Sequence, residues 1–141
     1  MREEERKEVN MEKVLLPDFN KRSVIVQVTE DGKEVEKVIN GLVTVVAQDC
    51  QTGQILMVAY TNEAGYQETL RTGKAVYYST SREKRWLKGE TSGDIQLVRQ
   101  ILIDCDGDAI IYLVEQTGKG ACHTGAWSCF FRDATTGEMI E

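Results

Sequence analysis

LVTVVAQD (residues 42–49), CQTG (50–53) and QILMVAY (54–60) read in succession as a strand, a turn and a strand. Val, Ile, Tyr and Thr fill both runs and Gly53 closes the connection, which is the composition of a hairpin. Apolar residues on both faces of ILMVAY predict burial on both sides of that strand. Toward the N-terminus, SVIVQVTE (23–30) and KEVEKVI (33–39) flank Asp31-Gly32. That dipeptide tolerates the positive φ of a type I′ turn, so another hairpin is expected. Toward the C-terminus, Asn62 can cap a helix with Glu63 in its first turn, Arg71 in its last and Gly73 closing it. Gly65 inside this helix costs about 1 kcal/mol of propensity relative to Ala. AVYYS (75–79), IQLVRQILID (95–104), AIIYLVEQ (109–116) and WSCFFRD (127–133) read as further strands, whereas SREKRWLKGETSGD (81–94) is too irregular to assign. The sum is an α+β domain, predominantly antiparallel β with one clear helix.

The chain has 141 residues, a length that predicts one domain. Residues 1–16 read as a charged, solvated N-terminal arm, and 17–141 as a single folded domain entered at Pro17. Seventeen Lys and Arg against 23 Asp and Glu leave a net charge of −6. This balance disfavours a nucleic-acid partner but allows a small phosphorylated ligand in a local basic pocket. No apolar run approaches the ~20 residues of a membrane span. MREEERKEVN has no apolar core and does not read as a secretory signal, so a reducing, cytoplasmic setting with unbridged cysteines is expected.

Three features could carry chemistry. Cys105, Cys122 and Cys129 lie in polar, punctuated contexts, and three thiolates plus a water make an open zinc geometry. The alternative is three free cysteines packed as small hydrophobes. Cys50 stands apart in a turn. Asp104, Asp106 and Asp108 crowd three carboxylates that repel one another unless a cation compensates, and hard oxygens suit Mg²⁺. Strand alternation would set Asp104 and Asp106 on one face and Cys105 on the other. An EF-hand reading of this stretch fails, because Ala109 stands where the sharp turn needs glycine. His123, the only histidine, neighbours Cys122 and is a candidate acid–base group or alternate ligand. Finally, Arg82, Lys84, Arg85 and Lys88 precede Gly89-Glu90-Thr91-Ser92-Gly93, the mix of cations, hydroxyls and glycines a phosphate pocket uses. Trp86 could stack on a base.

Together these motifs resemble the phosphoribosyl-AMP cyclohydrolase family. The residues that carry the resemblance are WLKGETSG (86–93) with Gln96, DCDGDA (104–109) and GACHTGAWSCFFR (120–132), supported by GLVTVVAQD (41–49) and EQTG (115–118). The resemblance implies zinc on Cys105, Cys122 and Cys129, shared across an intertwined homodimer, and magnesium on Asp104, Asp106 and Asp108. It departs at Thr80, where the family usually has Arg, and at Asp94, where His or Asn is frequent. The implied reaction is hydrolytic opening of an adenine ring between N1 and C6 in histidine biosynthesis, by a zinc-activated water with magnesium assisting. His123 is then the candidate proton carrier. Arg82 and Lys88, assisted by Thr91 and Ser92, are candidates for the substrate phosphates, and Trp86 for the base. Alternatives are zinc-dependent hydrolysis or deamination of another nucleotide, or a structural zinc module closed by His123. The H-x-E…P-C-x-x-C signature of zinc deaminases is absent.

Overall fold

The computed structural model describes residues 9–140. It is an α+β fold of eight strands and one helix. Strands β1 (Ser23–Glu30) and β2 (Lys33–Asn40) pair antiparallel as a separate two-stranded sheet. Asp31 (φ 51°) and Gly32 (φ 75°) make the turn between them, as the dipeptide requires. The other strands are β3 (Val43–Asp49), β4 (Ile55–Thr61), β5 (Val76–Ser79), β6 (Lys84–Leu87), β7 (Gln96–Ile103) and β8 (Ala109–Gln116). They form one sheet in the order β6-β5-β4-β3-β8-β7. Every pairing in it is antiparallel except β3 with β8, which run parallel from Thr44↔Ala109 to Asp49↔Val114.

Helix α1 (Glu63–Thr72) connects β4 to β5. Asn62 Oδ1 accepts from the Gly65 amide at 2.8 Å, and Gly73 ends the helix at φ 76° with its amide on the Thr69 carbonyl. The glycine inside the helix has a packing reason: a Cβ at Gly65 would lie 2.5 Å from Thr61 Oγ1. The core lies where α1 covers the sheet, with Val45, Ala47, Leu56, Tyr66, Tyr77, Tyr112 and Val114 all buried.

Three expectations are corrected, and one stretch too irregular to assign from sequence gains a strand. The strand expected at WSCFFRD is absent, leaving only an isolated bridge between Arg132 and Met139. The Ser128 hydroxyl takes the place of a ladder partner there, donating to the Ile55 carbonyl at 2.7 Å and accepting the Phe130 amide at 3.0 Å. The stretch left unassigned contains β6. Burial of β4 on both faces holds only for Leu56 and Met57, beside a bulge at Ala47/Gln48, while Ile55 and Val58 are exposed. The arm is also not wholly solvated: Val9 and Val14 pack against the core, and the Tyr66 hydroxyl donates to the Leu15 carbonyl. Residues 1–8 of that arm lie outside the described residues.

Candidate active site

A cleft of about 870 Å³ opens between the β5–β6 turn, the loop after β6 and the loop after β8. Arg82, Trp86, Lys88, Thr91, Ser92, Cys122 and His123 all line it. Two distant stretches of sequence therefore meet at one place. What joins them is a buried polar chain beneath the cleft. The Tyr77 hydroxyl donates to Gln96 Oε1, and Gln96 Nε2 donates to Gln116 Oε1 at 2.9 Å. Gln116 Nε2 in turn donates to the carbonyls of Asp94, Ile95 and Thr117. Gln96 is fully buried, so losing either end of this chain would strand polar atoms away from water.

Trp86 rests on the Tyr77 ring, with centroids 5.3 Å apart. Lys88 is not a surface residue: it is buried, with its ammonium 5.8 Å from the centre of the Trp86 ring. Arg82 is exposed on the β5–β6 turn, its amide donating to Ser79 Oγ. Thr91 and Ser92 are exposed beyond the positive-φ Gly89. A Cβ at Gly89 would lie 2.5 Å from the backbone at Asp94–Ile95, so the loop can close only on glycine. Lys84, one of the cations named from the sequence, lines the cleft too, as do Lys119, Ser79, Ser81 and Asp94, which were not singled out as ligand contacts. Arg85 also lines the cleft, but its guanidinium is paired with both carboxylate oxygens of Glu68 on α1.

Cys122 and His123 sit on the turn after Gly120, with His123 exposed. The Thr124 hydroxyl donates to Cys122 Sγ at 3.0 Å and lowers that thiol below the ordinary range. Cys129 behaves oppositely. The residue is exposed, yet local desolvation of its thiol, then the charge of Cys122 beside it, push it up to about 11. Cys105 does not join this pair. It sits on the β7–β8 turn, near the Thr44 end of β3, whereas the Cys129 amide donates to the carbonyl of Leu56, by the Ala47/Gln48 bulge. Three to four residues of strand separate the two levels, roughly 10 Å.

The aspartates do converge. Carboxylate oxygens of Asp104, Asp106 and Asp108 lie within 4.8 Å of one another, the one such group of three or more possible ligands among the described residues. Strand alternation is not the reason, because β7 ends at Ile103 and residues 104–108 form a turn through Gly107 at φ 81°. Two cations missed in the sequence, ahead of β1, answer the crowded charge. Lys21 Nζ stands 2.7 Å from Asp106, and Arg22 Nε 2.6 Å from Asp108. The Lys21 hydrogen bond is the main reason the Asp106 carboxyl is pulled down to about 2.

The family described as phosphoribosyl-AMP cyclohydrolase matches residues 57–131, just over half of the chain. A protein of that name from Desulfotalea psychrophila is 49% identical over 105 residues, covering 74% of this chain and 83% of its own length. One from Methanothermobacter thermautotrophicus is 56% identical over 103 residues, covering 72% and 74%. A histidine biosynthesis bifunctional protein from Aquifex aeolicus is 56% identical over 93 residues, 66% of this chain and 45% of its own.

Proposed function

The chain belongs to the phosphoribosyl-AMP cyclohydrolase family and is a hydrolase of histidine biosynthesis, and we propose that it opens the adenine ring of phosphoribosyl-AMP between N1 and C6 with zinc and magnesium as its metals. The observation that carries this reading is the cleft, which gathers His123 and Cys122 with an aromatic ring, several cations and several hydroxyls. That set matches a nucleotide: a base to stack, phosphates to neutralise and a proton to move.

The donor sets fit the two metals. Cys122 and Cys129 interact thiol to thiol, and thiolates suit zinc. One chain offers only this pair, since its own Cys105 joins no converging group of three possible ligands with them among the described residues. The third ligand is then Cys105 of the partner subunit, in a homodimer that shares each zinc between two chains. The three converging carboxylates suit magnesium. When bound, zinc supplies the Lewis acidity that activates water, and magnesium a hard positive charge against carboxylate or phosphate oxygens.

The chain's own side chains do the rest. His123, exposed beside Cys122, accepts a proton from the attacking water and delivers it to the departing N1. Trp86 stacks on the purine and holds C6 toward the thiol pair. Arg82 and Lys88 neutralise phosphate, with the hydroxyls of Thr91 and Ser92 completing its hydrogen bonds. Unbridged Cys105, Cys122 and Cys129 are in keeping with action in a reducing cytoplasm.

The test is zinc content and turnover measured together. Cys105→Ala, Cys122→Ala and Cys129→Ala each lose both, while His123→Ala keeps zinc and loses about 10²- to 10⁴-fold in rate. Mixing the inactive Cys105→Ala and Cys122→Ala proteins under subunit exchange restores about a quarter of wild-type activity, because half the dimers are mixed and each carries one intact site of two. No recovery in mixed dimers contradicts the shared site.

A further inference from the structure

Asp94 brings a carboxylate into the wall of a cleft read here as anion-binding, which should oppose a phosphate. The carboxylate is spent on the backbone: its Oδ1 accepts the Lys119 amide at 3.0 Å. The contact is closely packed, since a Cβ at Gly118, which sits at φ +68°, would fall 2.0 Å from that same oxygen. Gln116 Nε2 donates to the Asp94 carbonyl at 3.2 Å, and Thr117 Oγ1 to the Ile95 carbonyl at 3.0 Å. The turn carrying Lys119 is thus fastened to the loop carrying Thr91 and Ser92. Lys119 lines the cleft there, is exposed, and makes no ion pair among the described residues. Arg82 lines the same cleft from the opposite end of β6. The four residues of β6 put about 13 Å of strand between the two cations.

We infer that Lys119 is a further phosphate-binding cation beside Arg82 and Lys88, positioned by Asp94, so that the cleft grips its substrate by a cationic pole at each end of β6. This rests on the reading of the site as one for phosphoribosyl-AMP, whose adenine ring carries a phosphorylated ribose on each side. One pole holds the phosphate of the AMP moiety and the other that of the added ribose. Thr91 and Ser92 then belong to the Lys119 pole, and the purine spans the gap over Trp86. Asp94 acts only through Lys119 and is a positioning residue.

The experiment has a kinetic arm and a binding arm. Lys119→Gln raises KM for phosphoribosyl-AMP about tenfold with kcat within about twofold, the loss of one charge-assisted phosphate contact. Arg82→Gln does the same, and the double variant multiplies the two effects, because groups this far apart with no shared partner act independently. Asp94→Ala raises KM as Lys119→Gln does, and Asp94→Asn, which keeps the acceptor oxygen, restores it. KM unchanged in Lys119→Gln, or non-multiplying effects in the double variant, overturns the second pole. The binding arm titrates the protein with inorganic phosphate and follows backbone amide resonances. Those of Ser92, Asp94 and Lys119 shift in wild type and not in Lys119→Gln; no shift in wild type overturns the inference. A wild-type protein that fails to turn over phosphoribosyl-AMP yet shows these phosphate shifts overturns the proposed reaction and leaves the Lys119 pole standing.

Discussion

The backbone amide of Cys129 donates to the carbonyl of Leu56 at 2.7 Å, which ties the thiol beside Cys122 to the bulged end of β4. Ser128 reinforces the tie: it is buried, donates to the Ile55 carbonyl and accepts the Phe130 amide. Ser128→Ala leaves both groups short of a partner, so stability falls by about 1–3 kcal/mol in urea unfolding. Zinc affinity weakens alongside it, because the Cys129 segment loosens. An Ala variant as stable as wild type would show that water replaces the hydroxyl.

Gly65→Ala reverses the usual rule for helices. A Gly-to-Ala change inside a helix ordinarily gains about 1 kcal/mol. Here the new methyl meets Thr61 Oγ1 at 2.5 Å, and that fully buried hydroxyl donates to the Val76 carbonyl at 3.1 Å. The expected result is a loss of about 1–3 kcal/mol by thermal or chemical denaturation. A gain would mean that α1 shifts freely on the sheet.

The fold was legible where a local signal decides it. Asp31-Gly32 announces its hairpin, and Asn62, Glu63, Arg71 and Gly73 announce α1. β6 was not legible, because KRWL is short, half charged and half-exposed, with no alternation to read. The parallel pairing of β3 with β8 was equally hidden, since nothing local in either strand names a partner some sixty residues away. At WSCFFRD the apolar content suggested a strand, and the side-chain hydrogen bonds of Ser128 won instead. In the cleft, the motif residues 82–92 and 122–123 stood out through their types. Lys119, Lys21 and Arg22 did not, because each matters only through a contact with a residue far away in sequence.

Thiol reactivity in zinc-free protein separates Cys122 from Cys129. The Thr124 hydrogen bond favours the Cys122 thiolate, and burial disfavours that of Cys129. Iodoacetamide at about pH 8, mapped by mass spectrometry, labels Cys122 first, since the thiolate is the nucleophile. Cys129 labels efficiently only as pH climbs toward 11. Zinc binding expels these protons, so affinity falls as pH falls. Equal labelling of the two at pH 8 contradicts the arrangement.

Lys21 competes with any cation for the aspartate turn. Its ammonium is 2.7 Å from Asp106, and that contact is the main cause of the depressed carboxyl. Lys21→Ala therefore binds Mg²⁺ more tightly, about two- to fivefold at low salt, with the difference shrinking as salt screens the exposed pair. Calorimetric titration checks this, and weaker binding in the variant would mean that Lys21 orders the turn rather than competing for it.

The most direct measurement is turnover of phosphoribosyl-AMP followed by ultraviolet absorbance, with protein purified without chelator and Mg²⁺ present. The account predicts ring-opening turnover that a zinc chelator abolishes and added zinc restores. Folded, zinc-loaded protein that leaves the adenine ring intact, or turnover indifferent to the chelator, would contradict it.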